Sequence, residues 1–366
     1  MFELTKEKQD ELRLLTAFED VVFHDAREDC FRIYGLFDPY SGGRYCRMPE
    51  DVAEATSAKV KVRNYFTSGG RIRFTTDAEY IAIYVTGSKL KGGIFDLYID
   101  DPKVGGRAPA SVFVHPLRIP SDYTENTYAG KIFLPEGEHS ITLNLPLHRS
   151  MRELYIGLPE GATLKPGLSY VNEKPIVFYG SSITQGVSAS RPGLSYVSLA
   201  CRRMNADFRN LGFSGAAKAE PAIVDYLAST DMCCFVLDYD HNAPSPEYLR
   251  ETHYNLYKRV RDAHPDIPIL MLSRPGFNTY NAKGVLRTDA SIERRDVVID
   301  TFRAARAEGD RRVWYIDGES FFSGPDECEC TLDGIHPNDI GMLKMADSVH
   351  RVLLRILNEV PFLKGE

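Results

Sequence analysis

The chain has 366 residues, 43% of them hydrophobic and 26% charged, with a formal net charge of −7 and no long run of one sign. That length exceeds what one ordinary core absorbs and suits two domains, and the acidic balance argues against nucleic acid as a main partner. No segment approaches the roughly 18 to 20 apolar residues of a spanning helix, so no membrane role is expected, and the start MFELTKEKQDELRLL lacks a signal peptide's apolar stretch.

A cytoplasmic protein is the expectation from these features. The seven cysteines form an odd set, and Cys233 and Cys234, side by side in an apolar run, read as reduced core residues.

In chain order, residues 5–15 suggest a short helix or an arm. Segment 71–87, RIRFTTDAEYIAIYVTG, alternates apolar and polar, with Ile72 and Phe74 followed by Tyr80, Ala82 and Tyr84. Period two places one face against a core. Further strands are expected at 94–100, 111–114, 131–134, 139–145 and 153–157, separated by turn clusters such as DPKVGGRAP and LPEGEHS. Short strands without intervening helices suggest an all-β sandwich of jelly-roll type.

The rhythm changes at 159–175, a stretch rich in proline and glycine that reads as a connection, so the domains are expected at 1–172 and 173–366. Beyond it, strands expected at 176–179, 208–212, 233–238, 268–273 and 313–317 alternate with helices at about 192–204, 218–228, 246–264, 289–308 and 338–358. Alternation of this kind implies a parallel sheet covered on both faces. Ligands in such sheets bind beyond the carboxyl ends of the strands.

Two short runs carry chemistry. In IVFYGSSITQG, a buried strand ends at Gly180, and Ser181, Ser182, Ile183 and Thr184 follow in a turn. A hydroxyl there sits at the carboxyl end of the first strand of its sheet, where a nearby helix start would aim N–H donors at a forming oxyanion. It is not the nucleophile elbow, which needs glycine two residues after the serine, where Thr184 stands here. Taken alone, an ordinary polar turn is an equal reading. In TLDGIHPND, Asp333 and His336 lie three residues apart. That spacing lets a carboxylate meet one imidazole nitrogen and leaves the other for a serine proton. Pro337 suits the first position of a helix, which would put His336 at a helix entry. A capped helix start is the plain alternative.

Together these residues resemble the SGNH hydrolase superfamily, also called GDSL esterases, over residues 173–358. The first block reads Gly180-Ser181-Ser182 in place of Gly-Asp-Ser and makes Ser182 the nucleophile. NLGFSG at 210–215 is similar to the second block and implies Gly215 as an oxyanion donor; LDYDHNAP replaces the third and implies Asn242; DGIHP supplies Asp333 and His336. The resemblance implies a flavodoxin-like three-layer α/β/α domain and an oxyanion hole made by Ser182, Gly215 and Asn242, with no metal or other cofactor. GGIFDLY at 92–98 resembles a Gly-x-Asp-Leu-Tyr signature found ahead of such domains in a subgroup with an N-terminal β-rich domain. That subgroup implies short acyl groups, acetyl above all, on a carbohydrate or similar small alcohol.

His241, Arg274 and Phe213 are candidate substrate contacts, and Phe277 and Tyr280 candidate pocket residues; the alternatives are ordinary packing for the aromatics, a structural ion pair for Arg274 and a hydrogen-bonded structural role for His241. Other readings compete: an acyltransferase using the same triad, a lipase-like esterase of longer acyl chains, a glycan-binding protein without catalysis, and a metal site at Cys328, Cys330 and His336, which lacks a fourth ligand at zinc spacing. An oligomer is compatible with the sequence.

Overall fold

The structure, a computed structural model, describes residues 2–101, 112–172, 174–276, 288–325 and 327–359. Phe277, Tyr280 and the first residue of the strand expected at 111–114 lie outside the described residues. The chain packs as two units. One comprises Met1–Met48, Tyr65–Tyr170 and Arg191–Gly193; the other comprises Pro49–Asn64, Val171–Ser190 and Leu194–Glu366. The main boundary lies at 170/171, beside the single cut expected at 172/173, and two short stretches, Pro49–Asn64 and Arg191–Gly193, fold onto the unit that sequence order would not give them.

The first unit is a β-sandwich. Helix α1 (Lys6–Thr16) precedes strands β1 (Val21–Asp25), β2 (Arg32–Tyr34), β3 (Arg71–Thr76), β4 (Tyr80–Ser88), β5 (Asp96–Asp101) and β6 (Val112–Arg118). Then follow β7 (Ser121–Tyr123), β8 (Thr127–Phe133), β9 (His139–Asn144), β10 (Ser150–Pro159) and β11 (Leu164–Pro166). One antiparallel sheet runs β1-β10-β4-β8-β7 and the other β11-β3-β9-β5-β6, with β2 on β3. Ile72 and Phe74 meet Ile81, Ile83 and Val85 in the core between them.

The run 71–87 is thus two strands in two sheets, broken at Asp77–Glu79. In its second half Tyr80, Ala82 and Tyr84 face the other side, where Leu12 of α1 covers them. Covering both faces of β4 explains why its sequence is apolar at nearly every position. The same helix satisfies the edge strand: Gln9 exchanges two hydrogen bonds with the Phe23 backbone, at 2.6 and 2.9 Å, and Arg13 donates to the Val21 carbonyl at 2.8 Å.

The Asp-Leu-Tyr of the signature lies on β5. Asp96 accepts from Arg191 at 2.7 Å and from the Gly193 N–H, and Tyr98 contacts the same guanidinium at 2.6 Å. These bonds explain why three residues from the middle of the second unit's sequence belong to the sandwich.

The second unit starts with α2 (Glu50–Thr56) and α3 (Ala58–Asn64), which the alternation of the first half concealed. Its sheet comprises β12 (Ile176–Gly180), β13 (Phe208–Gly212), β14 (Cys234–Asp238), β15 (Ile269–Leu272) and β16 (Val313–Ile316), all parallel, in the order β13-β12-β14-β15-β16. The helices are α4 (Ser182–Gln185), α5 (Tyr196–Arg202), α6 (Pro221–Ser229), α7 (Pro246–Ala263), α8 (Thr288–Ala307) and α9 (Asp339–Glu359). On one face Phe178, Val236 and Leu270 pack with α5 and α9. On the other, Val177, Phe235, Leu237, Ile269 and Met271 are buried, and α6, α7 and α8 lie side by side. Burial of each large apolar side chain stabilises the layers by roughly 1.5–3 kcal/mol. The order places a switch point at β12, whose neighbours on either side come later in the chain, so the carboxyl end of β12 opens into the crevice where such sheets bind ligands. Among the described residues, no helix is long and apolar enough to cross a membrane.

Candidate active site

Ser182 sits at that switch point. Strand β12 ends at Gly180, and the next four residues turn at once into the short helix α4, with Ser181 as its N-cap. The Ser181 hydroxyl accepts from the Ile183 N–H at 3.2 Å, a capping role that the aspartate usual in this block would also fill. The turn is tight enough to require glycine. A Cβ on Gly180 would collide with the Thr184 hydroxyl and the Asp238 carbonyl, and one on Gly212 with the Gln185 backbone.

The polar residues of the turn are tied to neighbouring segments of the chain. The Thr184 hydroxyl donates to Asp238 at 2.7 Å and its carbonyl accepts from Asn210 at 2.7 Å. The Gln185 side-chain oxygen accepts from the Ser214 N–H at 2.8 Å. Phe213 N–H donates to the Gly180 carbonyl at 2.9 Å. Thr184, Gln185, Asn210 and Asp238 had no assigned role in the sequence. Their one signal is a polar residue within or directly after a buried strand.

The second half of the site is a turn after β16. Asp333 Oδ1 accepts from the Ile335 and His336 N–H groups at 3.0 and 2.7 Å, and Oδ2 faces His336 Nδ1 at 2.7 Å. One oxygen shapes the backbone and the other holds the ring. A bridge between Thr331 and Pro337 closes the base of the turn. Pro337 does not open the helix. Asn338 does, its side-chain oxygen accepting from the Ile340 and Gly341 N–H groups at 3.0 and 3.2 Å, because Pro337 is already committed to the bridge. Burial pushes the Asp333 carboxyl up, but hydrogen bonds from the His336 and Ile335 N–H groups and the His336 ring outweigh it and hold it below the usual carboxylate range.

The fold brings the two halves together. Ser182 Oγ lies 3.0 Å from His336 Nε2, across 154 positions of chain. That is hydrogen-bond distance for proton transfer. Ser182 is 6% exposed, whereas the Asp333 side chain is 49% exposed, so the chain of hydrogen bonds runs from the interior outward.

The expected oxyanion residues follow the two strands that flank β12. Gly215 comes three residues after β13 with φ +62°, a conformation that favours glycine, and open space surrounds the position a Cβ would take. Asn242 ends the short turn after β14, and its side-chain amide donates to the Phe213 carbonyl at 3.0 Å. One amide hydrogen is thereby used to orient the group, and a second is left on the same nitrogen.

Among the expected substrate contacts, Phe213 is a correction. Its ring is fully buried and lines no open surface; its contribution is the carbonyl that holds Asn242. Arg274 donates its backbone N–H to Asp240 at 3.0 Å and turns its guanidinium toward Ser291 at 3.4 Å. Among the described residues, neither buried ring nitrogen of His241 has a hydrogen-bond partner. Burial, with the charges of Arg274 and Arg294 and nearby His336, brings its pKa down to about 4, against Asp240, so the ring is neutral near pH 7. Cys330 is buried in the core beneath α9 while Cys328 is exposed, so the two do not converge with His336. Among the described residues no group of three or more His, Cys, Asp or Glu side chains is arranged to hold a metal ion.

Family models match both halves of the chain: the GDSL-like lipase/acylhydrolase family at residues 173–354, and the N-terminal domain of SGNH-type esterases at residues 21–164. The chain belongs to the SGNH/GDSL hydrolases. By family it is a carboxylic ester hydrolase. Solved structures agree in fold with this SGNH hydrolase over nearly its whole length. A protein of Bacteroides ovatus assigned as a GDSL-like lipase is 26% identical, with a TM-score of 0.78 over 92% of this chain and 98% of the other. A salicylyl-acyltransferase from a tetracycline biosynthetic pathway is 20% identical, with a TM-score of 0.73 over 94% and 99%. A family two carbohydrate esterase from Clostridium thermocellum is 16% identical, with a TM-score of 0.61 over 90% and 100%. No curated protein sequence matches the chain.

Proposed function

We propose that the protein removes short acyl groups, acetyl above all, from a carbohydrate or similar small alcohol through an acyl-enzyme on Ser182. The observation that carries this reading is the 3.0 Å contact between Ser182 Oγ and His336 Nε2, continued at 2.7 Å to Asp333. His336 takes the hydroxyl proton as Oγ attacks the ester carbonyl. Asp333, held ionised, keeps the ring in one tautomer and stabilises its cation. The oxyanion is met by the Ser182 and Gly215 N–H groups and by the Asn242 amide, each well-placed donor contributing roughly 3 kcal/mol at the transition state. His336 then gives its proton to the leaving alcohol. Water, activated by the same ring, attacks the acyl-enzyme, and Ser182 recovers its proton.

Support for the acyl and alcohol classes comes from the neighbours. Several are carbohydrate esterases of family two and one is an acetyl xylan esterase from Butyrivibrio proteoclasticus. A second reading, transfer of the acyl group to an alcohol or amine acceptor, is favoured by the acyltransferase neighbour.

The test is a hydrolysis panel of acetyl, butyryl and octanoyl p-nitrophenyl esters, acetylated xylose and acetylated xylan, with Ser182→Ala as blank. Acetyl esters are expected to be turned over fastest. A strong preference for octanoate overturns the short-acyl assignment, and wild-type rates in Ser182→Ala overturn the acyl-enzyme. Product analysis with a competing sugar acceptor separates transfer from hydrolysis.

A further inference from the structure

Asp238 ends strand β14 with 2% of its surface exposed, and the acyl-transfer chemistry above does not use it. A buried carboxyl is costly unless its neighbours satisfy it. Its neighbours are specific. The Asp238 backbone carbonyl accepts from the Ser181 N–H at 2.9 Å. Its Oδ2 accepts from the Thr184 hydroxyl at 2.7 Å and from the Tyr196 hydroxyl at 3.0 Å. The two hydroxyls lie 3.2 Å apart, and both residues are fully buried. One residue therefore grips the chain immediately before Ser182 and again two residues after it, and ties that grip to the first residue of α5.

We propose that Asp238 is a positioning residue for the nucleophile: through Thr184 it fixes the rotation of the turn that aims the Ser182 hydroxyl at His336. The proposal rests on the reading of Ser182 as nucleophile. Two groups that titrate face Asp238: Tyr196 from α5 and Asp240 from beyond the end of its own strand. Burial, reinforced by the negative charge of Asp240 and opposed by the two hydroxyls, pushes the carboxyl up to about 8. At neutral pH it carries a proton. It holds Thr184 without setting another negative charge next to the site where an oxyanion must form. Above that pH it ionises, and a negative charge beside the turn opposes the forming oxyanion and raises the barrier.

The experiment is steady-state hydrolysis of p-nitrophenyl acetate by the full chain between pH 6 and 9.5, with Ser182→Ala subtracted as background. Thr184→Val is expected to lower kcat about tenfold or more with KM within about twofold, and Thr184→Ser to restore most of it, since geometry acts on the chemical step. Asp238→Ala is expected to lose about 100-fold in kcat and Asp238→Asn only a few-fold. The fall in wild-type kcat centred near pH 8 is expected to vanish in Asp238→Asn. A Thr184→Val kcat within twofold of wild type overturns the proposal, as does an alkaline fall that is absent from wild type or unchanged in Asp238→Asn. If Asp238→Ala does not fold, the Thr184 pair decides the matter alone. Wild-type activity in Ser182→Ala sinks the acyl-enzyme reading, whereas wild-type activity in Thr184→Val sinks only the positioning role.

Discussion

The two turns that form the site are built on opposite principles. The turn at 180–186 is buried, and its bonds run to Asn210, Ser214 and Asp238, on chain segments 26 to 54 positions away. The turn at 331–337 is half-buried, with Leu332 and Asp333 exposed, and holds itself, through Asp333 and the Thr331–Pro337 bridge. The first is rigid because the sheet grips it; the second is rigid because its own side chain fills its hydrogen bonds. The nucleophile thus depends on the whole α/β core, whereas the base and its carboxylate depend on seven consecutive residues and on where β16 delivers them.

This contrast has measurable consequences. The largest is in His336→Ala, which is expected to lose about 10⁵- to 10⁶-fold in kcat while its melting temperature shifts by no more than about 2 °C, because Asp333 Oδ1 and not the imidazole holds the backbone of its turn. Kinetics beside a thermal melt check this, and a collapse in stability would break the contrast. Next comes Asn242→Ala, with a loss of about 100-fold in kcat. Its amide is oriented from the Phe213 carbonyl at 3.0 Å, so a change in KM alone would move Asn242 from the oxyanion to ground-state binding. The smallest effect is in Ser181→Ala, which removes the cap of a buried helix start and is expected to cost about 1 kcal/mol in urea unfolding. A null result there would show that the neighbouring strands hold the first turn without its cap.

Which parts were legible in sequence follows the same division. In the parallel sheet β12, β14 and β15 are largely apolar runs buried on both faces, and all five expected ranges overlap their observed strands within a residue or two. Asp333 and His336 are three residues apart, so local geometry alone made their contact plausible. In the sandwich, β4 was assigned one buried face, yet α1 covers the other. The short strands β1, β2, β7 and β11 went unseen, since three to five residues give too little periodicity to stand out. The position of Phe213 in NLGFSG puts an aromatic near the site but does not tell which way its ring points, and the ring is buried.

By itself, then, the chain determined its two-part architecture, the strands and helices of the α/β layer, and the inner geometry of the Asp333–His336 turn. Those are set by local periodicity and by hydrogen bonds between near neighbours. Only the tertiary structure decided that Ser182 meets His336 at 3.0 Å, that Thr184, Gln185 and Asp238 lock the nucleophile in place, and that Arg191–Gly193 fold onto the sandwich. Those contacts join residues far apart in sequence. Each is made by bringing strand ends and loops to one edge of a packed sheet, and no local pattern encodes which distant group will arrive there.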